Sequence, residues 1–237
     1  MVDLRPEELL DDNGFYNPLD EKNLARGVAE ALTSQPVHPL RRLPSFEGSG
    51  IYALYYVGNF PLYQPFVQFC KRGGCEEQLD LGPHAVPIYV GKSSVSSSRR
   101  GKLRDGGNKV LYKRIGTHRG SVKAVSGLDL DDFRVRYMPV RDVWVPLGEA
   151  GLLQRFTPLW NVVLEGFGNN SPGGGRKDQK RSTWDTLHPG RPAAMKLPGN
   201  EESLLSIEGR VARAIAAIVE STALPEDTLA VDSEAEE

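Results

Sequence analysis

Arg114 and His118 stand four residues apart in RIGTH, a spacing that puts two side chains on one face of a helix. An arginine fork suits phosphate oxygens better than a lysine point charge does. Histidine titrates near neutral pH and can serve as a base. Glu149 opens a later helical segment, and a single carboxylate is enough for magnesium, which keeps most of its waters. Lys92 directly follows the triplet YVG at the end of a strand-like run. Cutting a phosphodiester requires an activated water, neutralised charge on the phosphorus and a stabilised leaving oxygen. These residues could divide those tasks. Singly, each has a plain structural explanation: a solvated Arg–His pair, an acid placed for the helix dipole, a surface lysine.

The tyrosines are harder to place. GIYALYYVG (50–58) holds three, and its closing YVG recurs at Tyr89–Gly91 in PIYVGK. Tyrosine favours strands, so packing explains most of them. A phenol titrates near pH ~10 and is a poor base unless positive charge lies close. Such charge is plentiful. Ten basic side chains fall between Lys92 and Lys123 with Asp105 as the single acid, although the whole chain has a formal net charge of −2. A one-sign field of this kind attracts polyanions, nucleic acid before others.

The elements that would hold these groups follow from pattern. NLARGVAEAL (23–32) reads as a helix with Leu24, Val28, Ala31 and Leu32 on one face, followed by a Pro-rich connection. Strands are expected at GIYALYYVG, at 86–93 and at 132–140. Helices are expected from Asn108, as N-cap, through RIGTH, over 145–160 with Glu149 in the first turn, and over 201–221. The stretch from Gly58 to Pro87 reads as a long connection. The fold class is therefore α/β: a small three-stranded, mixed or antiparallel sheet flanked by helices. The bounds expected are an N-terminal helical arm (1–48), a core (49–191) with an insertion (59–86), a C-terminal helical segment (192–223) and an acidic disordered tail (224–237). Cys70 and Cys75 are read as reduced thiols, and with His84 they match no usual zinc spacing. No apolar run reaches membrane-spanning length, and the acidic N-terminus has no signal-peptide character.

Taken in order, the motifs resemble the GIY-YIG nuclease superfamily. GIY stands at Gly50–Tyr52, YVG at Tyr89–Gly91, the helix arginine at Arg114, the glutamate at Glu149 and an asparagine at Asn161 in PLWN. GIYALYY, PIYVGK, RIGTH, DLDDF, PLWN, the Gly-rich stretch from Gly166 and the WD…LHPGR stretch are similar to the type II restriction endonuclease branch. There His118 takes a position often held by tyrosine. Val90 replaces isoleucine, and the half-motifs are unusually far apart. The first YVG (56–58) follows GIY on the same strand, so the second copy is the working one.

The resemblance implies a restriction endonuclease that hydrolyses double-stranded DNA at a short palindromic, GC-rich site. It implies one divalent metal, Mg2+ or Mn2+, on Glu149. Tyr52, helped by His118 or Tyr89, would deprotonate the water; whether Tyr52 or His118 takes the proton is open. Arg114 would neutralise the phosphorane, Lys92 would support the water or phosphate, and Asn161 would hold substrate or site geometry. DNA contacts are expected from Arg99, Arg100, Lys102, Arg104, Lys109, Lys113, Arg119, Arg176, Lys177 and Arg181. Partners would be a second copy of the chain and, functionally, a methyltransferase of the same prokaryotic cytoplasm. The competing readings are a repair or homing nuclease with the same module and a non-catalytic DNA-binding protein of the same fold. The first would carry further DNA-binding domains, and the second would lack one of the site residues.

Overall fold

The run GIYALYY has no polar alternation, and a strand of that kind belongs where both faces are covered. In the computed structural model, which describes residues 17, 20–71, 81, 85–95, 108–169 and 179–223, it forms β2 (Gly50–Tyr56), buried along its whole length. Beside it lie β3 (Tyr89–Ser93) and β4 (Phe133–Pro139), and β1 (His38–Pro39) completes a four-stranded antiparallel sheet in the order β1-β4-β2-β3. The three expected strands are therefore joined by a fourth. β1 pairs only His38 with Val135 and Pro39 with Arg134. Two residues carry no alternation to read, and a proline is tolerated there because the strand is an edge.

Register assigns the faces. Tyr52 opposes Gly91 and Leu54 opposes Tyr89, whereas Ile51 opposes Lys92 and Ala53 opposes Val90. Side chains alternate along a strand, so Tyr52 and Tyr89 share one face and Lys92 looks out from the other. Helix α3 (Val110–Ala124) covers the tyrosine face and buries Leu111, Ile115, His118 and Val122. It starts one residue later than expected, with Lys109 in the cap position, and it runs through Gly116 and Gly120 to Ala124.

The opposite face is covered by α4 (Val145–Phe156) together with α1 (Glu21–Thr33), which packs on α4 and also meets β2 and β4. Glycines set this spacing. A Cβ on Gly148 would stand 3.1 Å from Ile51, and one on Gly151 would stand 2.7 Å from Ala25. Such a close approach selects small residues on α1, so its buried face is Ala25, Ala29 and Leu32, with Val28 half-buried, and Ala31 is exposed. The expected face was turned by one position for that reason. A short 3-10 turn (Asp142–Trp144) leads into α4, which starts at Val145 as expected, and Glu149 sits just beyond its first turn, not in it. The helix stops at Thr157, whose φ of 42° is left-handed, and restarts after Pro158 as α5 (Leu159–Val162), which carries Asn161.

The connection after β2 has more structure than its composition indicated. Tyr63 closes a 3-10 turn, and α2 (Gln64–Lys71) buries Phe66 and Val67. Both pack against the final helix α8 (Leu204–Ala223), which buries Ile207, Val211 and Ile215. Two short helices, α6 (Thr183–Leu187) and α7 (Pro192–Met195), lie between α5 and α8 in sequence. Among the described residues, no helix is long and apolar enough to cross a membrane. Cys75 and His84 lie outside the described residues, as does the expected acidic tail.

Candidate active site

Tyr52, Tyr89, Arg114 and His118 meet on the α3 face of the sheet. Tyr52 Oη and His118 Nε2 share a hydrogen bond at 2.5 Å, with ring centroids 5.5 Å apart. Tyr89 closes the triangle, its ring 6.1 Å from Tyr52 and 5.0 Å from His118. The glycine of YVG makes room: a Cβ on Gly91 would stand 2.5 Å from Tyr52 Oη. The first YVG serves a different end of β2. There Tyr56 packs on Tyr63 and Phe133, and its Oη accepts from the Phe60 amide.

Burial grades the cluster. Tyr52 and His118 are 0% and 1% exposed, whereas Tyr89 keeps a 7% rim. Loss of water pushes the Tyr52 phenol well above its ordinary value; nearby Tyr89 adds to the rise and Arg114 opposes it. Burial also raises Tyr89, again against Arg114, and the Glu149 carboxylate contributes to that rise. His118 is held well below the ordinary imidazole range by burial first, then by Arg114 and Arg191. At neutral pH the three rings are therefore uncharged. His118 Nδ1 is buried with no partner among the described residues, and the ring lies against Phe167, centroids 4.5 Å apart and planes within 22°.

Arg114 reaches the cluster from one turn before His118 and donates from Nη2 to the Gly168 carbonyl at 2.7 Å. Lys92 and Glu149 belong to the other face. Lys92 Nζ lies 2.7 Å from Glu149 Oε2, and the two side chains are 41% and 23% exposed. Tyr89 links the groups, since it feels both Arg114 and Glu149. Among the described residues no group of three or more His, Cys, Asp or Glu could hold a metal. A lone, partly exposed carboxylate does not suit zinc. It suits a hard divalent cation whose other ligands are waters and phosphate oxygens, which is the magnesium habit.

Asn161 stands apart from the chemistry. Its Oδ1 accepts from the Val90 amide at 2.8 Å and its Nδ2 donates to the Val90 carbonyl at 2.9 Å, while the Trp160 amide bonds the Ile88 carbonyl. The side chain thus acts as a one-residue strand that satisfies the free edge of β3 and fixes Tyr89–Lys92.

Of the basic residues expected on DNA, Lys109 and Lys113 are exposed, Arg119 is half-buried on α3 and Arg181 is half-buried before α6. Lys109 Nζ donates to Ser45 Oγ. Arg99, Arg100, Lys102, Arg104, Arg176 and Lys177 lie outside the described residues.

Sequence reading gave no role to Phe167, Gly168 or Arg191, which adjoin the cluster, or to Asp185, which pairs with Arg191. The Gly-rich and WD…LHPGR stretches flagged these positions as similar to the restriction branch, but without a partner in view neither stretch showed a purpose. The family model described as the Eco29kI GIY-YIG domain matches residues 44–215, from before β2 into α8. Among the curated proteins, none matches the chain.

Proposed function

This chain belongs to the Eco29kI GIY-YIG family, a type II restriction endonuclease family, and is a nuclease acting on DNA; we propose that it cuts double-stranded DNA at a short palindromic, GC-rich site. The observation that carries the reading is the contact between Tyr52 and His118 with Tyr89 and Arg114 around it. A palindrome is matched by two-fold symmetry, so a homodimer is the working unit on DNA. A host using such an enzyme needs a methyltransferase to protect its own sites.

The three neutral rings form a proton path. Tyr89, with its exposed rim, is the outer end, Tyr52 the middle and His118 the inner end. As water attacks phosphorus, its proton goes to the Tyr89 oxygen, the Tyr89 proton to Tyr52, and the Tyr52 proton to His118 Nε2. Ordinarily the cost would be high, because His118 is a weak base in its buried setting. The negative phosphate entering at the Tyr89 rim favours the imidazolium through the low-dielectric interior and lowers that cost. Arg114 faces the same space with a planar guanidinium and offsets charge on the phosphorane. Glu149 would hold one divalent cation, Mg2+ or Mn2+, which when bound supplies charge for the leaving 3′ oxygen. Lys92 is positioned to exchange its hold on Glu149 for a phosphate oxygen. Asn161 keeps β3 in register and touches no reacting atom.

Plasmid incubated with the protein in magnesium buffer or in EDTA tests the reading. Discrete fragments with magnesium alone support it, random nicking favours a repair or homing nuclease, and binding without cuts refutes catalysis.

A further inference from the structure

Behind the cluster lies a second arginine, Arg191, only 12% exposed and paired with Asp185, which is 6% exposed. Nε donates to Asp185 Oδ1 and Nη2 to Oδ2, both at 2.6 Å. The same guanidinium also donates from Nη2 to the Gly166 carbonyl at 2.8 Å and from Nη1 to the Phe167 carbonyl at 3.1 Å. It lies 4.7 Å over the Trp184 ring. Asp185 Oδ2 further accepts from Ser182 Oγ at 2.6 Å. Ser182 fills the space beside Gly166, whose φ of +111° and missing Cβ let the chain turn there.

A buried ion pair contributes little to stability, because desolvation offsets its attraction. Four bonds aimed at one carboxylate and two consecutive carbonyls do something else: they fix where Gly166–Phe167–Gly168 runs. That segment meets the cluster twice. The Phe167 ring lies flat against His118 and edge-on to Tyr89. The Gly168 carbonyl receives Arg114 Nη2.

We propose that Asp185 and Arg191 are positioning residues for DNA cleavage, their buried fork holding Gly166–Gly168 so that Phe167 sets the His118 ring plane and the Gly168 carbonyl aims Arg114. The inference rests on the reading of Arg114 and His118 as groups that act on the phosphate and the proton. Lysine cannot replace the fork, since one ammonium cannot serve a carboxylate and two carbonyls in fixed directions.

Two variants test this: R191K, which keeps the charge, and the double variant D185N/R191Q, which leaves no buried charge unpaired. R114A serves as the control. Folding is followed by circular dichroism, DNA affinity by gel shift in EDTA and cleavage by single-turnover rates in magnesium from pH 5.5 to 9. R191K is expected to bind DNA within about threefold of the parent yet cleave about 10²-fold slower, the cost of a displacement near 1 Å. His118 is faced by Tyr52 and Tyr89 from the sheet, Arg114 from its own helix and Arg191 from the far side. Removing the last cation in D185N/R191Q therefore shifts the acidic limb of the rate profile to higher pH, whereas R191K leaves it in place. A purely structural role would move neither the limb nor the rate at constant affinity.

Cleavage within threefold of the parent by both variants, with R114A inactive, discards the clamp and keeps the site. Normal cleavage by R114A overturns the site itself. If the Arg191 variants do not fold, F167L decides, because it leaves the ion pair intact and keeps an apolar side chain among Tyr89, Trp160 and Trp184 while removing the ring stacked on His118. A rate at least about tenfold lower at unchanged affinity upholds the clamp, and an unchanged rate refutes it.

Discussion

The Tyr52 hydroxyl and His118 Nε2 are hydrogen-bonded across 2.5 Å in a space that admits no bulk water to either group. Tyr52→Phe keeps the ring beside Gly91 and deletes only the oxygen. Loss of one link in a proton path costs about 10²–10⁴ in rate. Single-turnover cleavage by Tyr52→Phe should fall into that range while gel-shift affinity holds. A rate within tenfold of the parent removes Tyr52 from the path.

The depressed His118 gives the pH dependence its sign. The path needs a neutral imidazole, and burial with Arg114 and Arg191 keeps it neutral well below the ordinary pKa of 6.5. In the free enzyme, kcat/KM should therefore stay level from pH 8 down through 6, since that ratio reports groups of the unliganded protein. An acidic limb centred near 6.5 would mean that His118 is solvated in solution and is not the buried acceptor described.

Glu149 and Lys92 are the separable half of the site, on the other face of β3. Glu149→Gln preserves shape and removes the charge that a cation needs. Cleavage in magnesium should disappear, with DNA binding in EDTA unchanged or slightly stronger, as a negative group is lost. Robust cutting by Glu149→Gln would overturn the cation assignment.

How far the sequence revealed this site depends on the range of the interactions. Tyr52 and Tyr89 were legible through the GIY and YVG motifs, since pattern alone read them as strand packing, whereas Arg114 and His118 share a face by an i, i+4 spacing, which is a local rule. The α1 face was misplaced because Gly148 and Gly151, more than a hundred residues away, dictate which side chains fit beneath α4. β1 was invisible for a similar reason, its two residues being strand only through pairing with Val135 and Arg134. Asn161 was found by motif, but its partner, the backbone of Val90, has no sequence signature at all. The Asp185–Arg191 fork shows the same limit, since its targets are carbonyls.

Arg114 offers a magnitude. Removing one donor that stabilises a charged transition state costs about 2.7–4 kcal/mol. Arg114→Ala also frees the Gly168 carbonyl, so the loss should fall at the upper end, read as a ratio of single-turnover rates. A change of less than about 1 kcal/mol, or fivefold, would show that the guanidinium only packs against Gly168.

A second buried histidine ties stability to acid. Trp160 Nε1 donates to Tyr63 Oη at 3.0 Å, and Tyr63 Oη is hydrogen-bonded to His188 Nε2 at 2.7 Å. Burial lowers the His188 pKa to about 3, from an ordinary 6.5. Between those values the unfolded chain binds a proton that the folded chain refuses, so stability is full above pH 6.5 and drains away as pH falls. From the 1.36 kcal/mol that each unit represents, His188 alone removes about 2 kcal/mol between pH 7 and 5. His118 acts in the same direction but is shared by any His188 variant. Urea unfolding at pH 7 and 5, for the parent and His188→Gln, isolates the effect. The parent should lose about 2 kcal/mol more than the variant over that interval; equal losses would mean that His188 protonates in the folded protein and carries no acid sensitivity.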